Sequence, residues 1–262
     1  MSFETIRFEI DGSIATITLN RPDNANALNE VMAQELFEAS LECQTNEAIR
    51  CLVLTGTGKM FCAGGDLTEM HGAGDHQDAH VLKMATLLHA AVIRFSTMNA
   101  PLIVAVNGTA GGGGFSLALA GDIILASNKA KFVSAYTASG LTPDGSSTYF
   151  LAKHIGLLRA KEMMFSNRVL TADEACDWGL VTRVVDAEAL ASETDALART
   201  LADGPTQAYG GVKRLLHNSY GESAESQLDK EALSIAKMMT TRDGPHGIEA
   251  FLNKQKPTYE GH

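Results

Sequence analysis

The sequence predicts an α/β protein of stacked strand–helix units, ended by an all-helical tail. Two observations carry that expectation. An order of strand, glycine-rich turn and helix recurs up to about Ala187, as in architectures built from repeated units. Beyond that point strand-like runs vanish and only helical spacing remains. The chain is therefore read as a core over residues 1–187 and a helical region over residues 188–262, with no low-complexity linker between them.

Ile6 to Ile10 and Ser13 to Leu19 read as two short strands about Asp11-Gly12, a hairpin turn signal. Arg21-Pro22-Asp23-Asn24-Ala25-Asn26 is a polar loop, after which Leu28, Met32, Leu36, Ala39 and Cys43 follow helical spacing. Cys51 to Leu54 is a compact buried strand, ended by Thr55-Gly56-Thr57-Gly58. Next come a helix around His80 to Phe95, a strand over Leu102 to Val106 and the glycine run Gly111 to Gly114. A helix from Phe115 to Ala120 leads into a strand over Ile123 to Ala126. Thr171-Ala172-Asp173-Glu174 is a capping-box signature for a helix that stops at Gly179. The tail holds helical stretches over Ala189 to Leu201, Gln207 to His217, Ser226 to Met239 and Pro245 to Lys254.

With 262 residues, 45% of them hydrophobic, the chain can bury one sizeable core. Its net charge of −10 repels phosphate backbones and anionic lipid, which argues against nucleic-acid and membrane-surface partners. The same charge requires that an anionic ligand be held by local devices. The longest apolar runs are far too short to span a bilayer, and the first ten residues lack a basic stretch followed by an apolar one. Cys43, Cys51, Cys62 and Cys176 form no C-x-x-C pair and read as free thiols in a reducing compartment. The expected location is the cytoplasm.

Two glycine-rich stretches follow strands: Met60 to Leu67, with Gly64-Gly65, and Val106 to Gly114, with four consecutive glycines from Gly111. Such loops bring backbone close to a ligand and aim unpaired N–H groups at it. Familiar phosphate motifs do not fit. Gly58-Lys59 lacks the preceding glycine spacing and the following Ser or Thr of a P-loop. The run from Gly108 to Gly114 has no acidic residue at the dinucleotide-binding distance. Each loop alone could be a tight turn; two in the same register of a repeat point to a shared site.

The ordered blocks Leu19-Asn20-Arg21-Pro22 with Asn26-Ala27-Leu28, Phe61 to Leu67, and Ala105-Val106-Asn107-Gly108 resemble the signature of the crotonase (enoyl-CoA hydratase/isomerase) superfamily. The resemblance continues through Lys131-Phe132-Val133, Gly140 to Pro143, Ala175 to Val181 and Ala250 to Lys254, and covers essentially the whole chain. It implies a ClpP-like spiral of ββα units with a C-terminal helical trimerisation region, assembled as a homotrimer or dimer of trimers. It also implies an acyl-CoA substrate, with no permanently bound cofactor and no metal. The N–H groups of Gly65 and Gly113 would form an oxyanion hole. Ala25, Ala27, Leu28, Ala63, Gly64, Asp66, Leu67 and Gly112 would lie around the CoA and its acyl group. The physics is coherent, because a thioester α-proton is weakly acidic and two aimed donors supply several kcal/mol to the enolate.

Hydratases of this family carry two glutamates, and the matching positions here hold Ser116 and Tyr136. Neither can serve as a carboxylate that deprotonates water; both are read as ligand contacts, and Ser116 alternatively as packing at the helix start. Asp144, directly after Pro143, stands where isomerases of unsaturated or ring-epoxidised phenylacetyl-CoA thioesters keep their base. The 4-chlorobenzoyl-CoA dehalogenases carry an aspartate nucleophile there, with a tryptophan at the position of Tyr136. A single base suffices for isomerisation, whereas dehalogenation needs a nucleophile, an aromatic cage and a separate base for hydrolysis, for which His89 is the nearest candidate. The resemblance therefore favours an isomerase, with dehalogenation or hydration as alternatives and a catalytically silent binding homologue as the non-enzymatic one.

Plainer readings stand beside these. Pro143-Asp144-Gly145 is a strong turn signal in its own right. Cys62 has no histidine placed by sequence to activate it, so packing is its expected role. His76 and His80 stand at i, i+4, a spacing that can bind metal on a helix, although Gly72-Ala73-Gly74 suggests a mobile lid. In related enzymes a C-terminal lysine reaches a neighbouring subunit's CoA phosphates, a role that falls here to Lys254.

Overall fold

The structure, a computed structural model, describes residues 3–262. The main sheet contains β1 (Ile6–Asp11), β2 (Ile14–Leu19), β3 (Cys51–Gly56), β5 (Leu102–Val106), β7 (Ile123–Ser127) and β10 (Arg183–Val185), in that order across the sheet. The pair β1–β2 is antiparallel, with Ile6 opposite Leu19, and every other pairing in this sheet is parallel. A small second sheet is built from β4 (Met60–Cys62), β6 (Thr109–Gly111), β8 (Lys131–Val133) and β9 (Leu170–Thr171).

The spiral follows from this pairing. Each turn sends a long strand into the main sheet, then a short one into the small sheet, then a helix. The first turn is β3, β4 and then α2 (Leu67–Gly72) with α3 (Gln77–Thr97); the second is β5, β6 and α4 (Gly112–Ala118). The third is β7, β8 and α5 (Ser147–Ile155), which continues into α6 (Leu157–Ser166). The expected ββα architecture is therefore present. Alternation within the strands sets the layers. Leu52, Leu54, Leu102, Val104 and Val106 face one core, which they share with α3 and with α1 (Glu30–Thr45). Cys51, Val53, Ile103 and Ala105 face the other, covered by Leu190, Ala198 and Ala202 of α8 (Leu190–Ala202). A central strand buried on both faces needs the unbroken apolar run that β5 has.

The remaining helices are α7 (Ala172–Asp177), with the expected capping box at Thr171 and Glu174, α9 (Thr206–Ser219), α10 (Ala224–Met238) and α11 (Asp243–Leu252). The first tail helix is thus part of the layer that closes the sheet rather than an appendage. Several elements carry too little periodicity to be read from sequence. The strands of the small sheet have two or three residues each. Helices α5 and α6 bury Leu151, Ile155, Ala160 and Met163 but expose Leu157, Leu158 and Phe165, which blurs their apolar face. The helix expected from Phe115 instead begins at Gly112. Packing overrides the poor helix propensity of glycine there.

The tail is pinned by one buried cation. Lys213 of α9 donates to the carbonyls of Phe95 (2.7 Å) and Ala100 (3.0 Å) and lies 2.6 Å from Asp122. Asp122 also accepts from the Leu102 N–H at 2.7 Å. Burial pushes the Asp122 carboxyl up and the Lys213 ammonium down, while each charge steadies the other. Removing one partner leaves the other charge buried and alone. Asp122→Ala should therefore lower stability by about 3–5 kcal/mol in denaturant titration, and Asp122→Ala with Lys213→Met should recover much of it. A loss below about 1 kcal/mol in the single variant would show that solvent reaches the lysine.

Candidate active site

The first wall comes from the polar loop after β2. Pro22–Asn24 form a short 3-10 turn, and Ala25 (φ 52°) and Asn26 (φ 53°) are both left-handed. Buried Asn26 holds that conformation. Its amide donates to the carbonyls of Thr57 and Met60 at 2.9 Å and of Phe61 at 3.1 Å, while its oxygen accepts from the Arg21 N–H. The loop thereby lies along the glycine segment after β4. Leu28 N–H donates to Gly64 O at 2.7 Å, and Asp66 N–H donates to Leu28 O at 2.8 Å. This isolated parallel bridge leaves the Gly65 N–H unused between its two bonds.

The second wall is the glycine run itself, in backbone contact with the first. A Cβ on Gly64, where φ is +112°, would lie 3.0 Å from Gly111 O and 3.2 Å from Gly113 N. A Cβ on Gly114 would run into the carbonyl and side chain of Cys62. Gly113 is the second residue of α4, a position whose N–H has no intrahelical acceptor. A Cβ built on it would stand 3.7 Å from Gly65 N. The two N–H groups assigned to an oxyanion hole are therefore neighbours.

Both loops line a cavity of about 410 Å³. Leu28, Ala63, Gly64, Gly65, Leu67, Gly112, Gly113, Tyr136 and Asp144 all contribute to it. Met70, Val81, Leu82, Met84, Ala85 and Leu88, from α2 and α3, form an apolar wall. Asp78, at the start of α3, Ser139 and Thr142 are further polar lining residues. Other expected contacts lie outside the cavity. Ala25 accepts from Ala63 N–H, and Ala27 O accepts from Arg21. Asp66 caps α2 through the Glu69 N–H and pairs with Arg21 at 3.0 Å. These residues shape the loop that faces the site. Lys254 is exposed just beyond α11.

Asp144 is both a turn residue and a cavity residue. One of its carboxylate oxygens lies 2.7 Å from His89 Nε2, both side chains being about two-fifths exposed (40% and 44%). Sequence alone could name His89 but not place it, because 55 residues separate the pair. Ser116 is fully buried behind the cavity wall instead of lining it, donating to Asp144 O at 2.7 Å. Its Oγ also lies 2.8 Å from the Tyr136 hydroxyl. Burial pushes the Tyr136 phenol well up, so it remains a neutral hydroxyl.

The other candidates resolve simply. Cys62 is buried, its thiol pushed up to about 12 by burial, which removes it as a nucleophile at neutral pH. His76 lies in a 3-10 turn ahead of α3 and does not share a helix with His80. His80 is engaged by two carboxylates, Glu30 at 3.3 Å and Glu69 at 3.2 Å. Cys43, Cys51, Cys62 and Cys176 are free. No helix among the described residues is long and apolar enough to cross a membrane.

Comparison with known proteins places the chain in a family. The family pattern of enoyl-CoA hydratase/isomerase matches residues 9–262. The 1,2-epoxyphenylacetyl-CoA isomerase of Escherichia coli is 36% identical over 260 residues, covering 98% of this chain and 99% of that one. A 4-chlorobenzoyl coenzyme A dehalogenase of Arthrobacter is 33% identical over 231 residues, covering 88% and 84%. Among solved structures, an enoyl-CoA hydratase subunit from Geobacillus kaustophilus superposes with a TM-score of 0.91 at 35% identity, covering 99% of each chain. With its spiral fold, its paired glycine loops and full-length kinship, the chain belongs to the enoyl-CoA hydratase/isomerase family, whose enzymes act on CoA thioesters.

Proposed function

We propose that this protein is a cytoplasmic CoA-thioester isomerase, acting on an enoyl-CoA or a ring-epoxidised arylacetyl-CoA. The thioester oxygen sits between the N–H groups of Gly65 and Gly113. The Asp144 carboxylate takes a proton from one carbon of the acyl chain, and the electron pair moves onto the thioester oxygen as an enolate. With an enoyl-CoA, the same carboxyl then returns the proton to a different carbon and the double bond migrates, so one base serves both steps. Each aimed N–H is worth about 3–4 kcal/mol to such a transition state. The observation that carries this reading is the shared cavity of Asp144 and the two glycines. Ser116 and Tyr136, in place of the hydratase glutamates, supply no carboxylate to activate water.

A second reading has one observation in its favour. The 2.7 Å contact of His89 with Asp144 pairs a carboxylate with a base, as a dehalogenase-like nucleophile followed by hydrolysis would need. Release of chloride from 4-chlorobenzoyl-CoA, abolished in His89→Ala, would establish it over the isomerase.

The CoA nucleotide needs cations, and Arg21 is already committed to Asp66 and Ala27. We assign the phosphate contact to Lys254, reaching the site of a neighbouring subunit in a trimer or dimer of trimers. The tail supports this assembly: α10 buries none of its residues within the chain and exposes Leu228, Leu233 and Ile235. The residues after 187 then serve mainly as the oligomerisation region.

Asp144→Asn should abolish turnover while leaving CoA-thioester affinity nearly intact, and full activity in that variant would sink the assignment. Hydration of crotonyl-CoA should run far below isomerisation of a 3-enoyl-CoA. A hydration rate on the order of 10 per second or more would show that other groups activate water. In sedimentation the protein should run as a trimer or hexamer. Lys254→Ala should raise KM with little change in kcat, and wild-type affinity for CoA should weaken with salt. A monomer, or an unchanged KM, would count against the shared site.

A further inference from the structure

The segment that carries Asp144 has an unusual backbone. Gly145 (φ +62°) and Ser146 (φ +75°) are consecutive left-handed residues, directly ahead of α5. For a serine that conformation costs about 1–2 kcal/mol, and the buried Ser146 hydroxyl has no partner among the described residues. A turn of this kind persists only when its surroundings impose it. The imposing contacts converge on one atom, the carbonyl oxygen of Asp144. Ser116 Oγ donates to it at 2.7 Å, Ser147 Oγ at 3.0 Å and the Tyr136 hydroxyl at 3.2 Å. The Ser147 N–H completes the set at 3.3 Å.

A carbonyl oxygen has two lone pairs, so the contacts rank by distance. Ser116 and Ser147 occupy the lone pairs, and Tyr136 donates chiefly to Ser116 Oγ at 2.8 Å. Ser116 and Ser147 are fully buried, where an unpaired hydroxyl is costly. Packing repeats the message, since a Cβ on Gly145 would come within 2.9 Å of Ser116 Cβ. Ser116 also lies in α4, three residues after Gly113. The chain Tyr136–Ser116–Asp144 therefore ties the element bearing an oxyanion donor to the residue bearing the base.

We propose that Ser116 and Tyr136, with Ser147, are positioning residues that clamp the Asp144 backbone and fix its carboxylate relative to the Gly113 N–H. Ser116 and Tyr136 occupy the positions of the hydratase glutamates. In this chain those positions hold the base in place instead of supplying one. The inference rests on the isomerase reading, and its test separates the two.

Ser116→Ala, Tyr136→Phe and Asp144→Asn are compared, together with Ser116→Ala combined with Asp144→Asn, on a 3-enoyl-CoA. Tyr136→Phe keeps the ring, so it protects the comparison if Ser116→Ala fails to fold. A misplaced catalytic group costs up to about 100-fold. Ser116→Ala and Tyr136→Phe should each lower kcat by roughly 10- to 100-fold, with KM changed less than about threefold. In the Asp144→Asn background, Ser116→Ala should cost nothing further, because no carboxylate remains to be positioned. Loss of activity in Asp144→Asn with normal kcat in folded Ser116→Ala and Tyr136→Phe would overturn the clamp and leave the base in place. So would a change confined to KM, or an equal loss of kcat with and without the Asp144 carboxylate. Full activity in Asp144→Asn would overturn the isomerase reading itself.

Discussion

The contact between the two glycine loops is the constraint from which the rest of the site follows. Gly64 approaches Gly111 and Gly113 so closely that a methyl group would press on backbone from either side. Only a spiral that stacks successive units can bring two strand-to-helix turns together in this way, with β4 beside β6 in the small sheet. The contact explains why the short strands exist. They bury Phe61 and Phe132 completely, and they set the register between Cys62 and Ala110 from which both loops depart. It also explains why α4 starts with three glycines despite their unfavourable propensity, since side chains there would push the loops apart.

The sequence made most of this frame legible, and the reasons differ by element. Long strands such as β5 announce themselves through unbroken apolar runs, and the tail helices through helical spacing and caps. Glycine density marked the loops, because few other roles require it so often. The failures have one physical origin, which is that tertiary contacts leave no periodic trace. The His89–Asp144 pair joins a long helix to a turn 55 residues away. Ser116 was read as a ligand contact because its position in the chain suggested the cavity. Its orientation toward Asp144 O depends on the packing of α4 against the following segment.

Electrostatics divides the protein in a similar manner. A chain of net charge −10 belongs to a family that acts on polyanionic CoA thioesters, yet the arginine of the loop after β2 neutralises Asp66 and braces Ala27. Arg21 thus serves the shape of the loop. Attraction for a nucleotide has to come from elsewhere, and backbone N–H groups meet part of the need without altering net charge. Under the proposed function, this separation lets the surface remain acidic while the interior of the site favours negative charge on the thioester oxygen.

The same division explains why kinship at 36% identity leaves the reaction open. The frame rests on the glycine contact, the Asn26 brace and the two apolar cores. Which reaction follows is a matter of the few polar side chains around the cavity. Asp144 sits on a strained turn, and His89 on the exposed side of α3. An enzyme of this family can therefore retain its means of stabilising an enolate while changing where the proton comes from and where it goes.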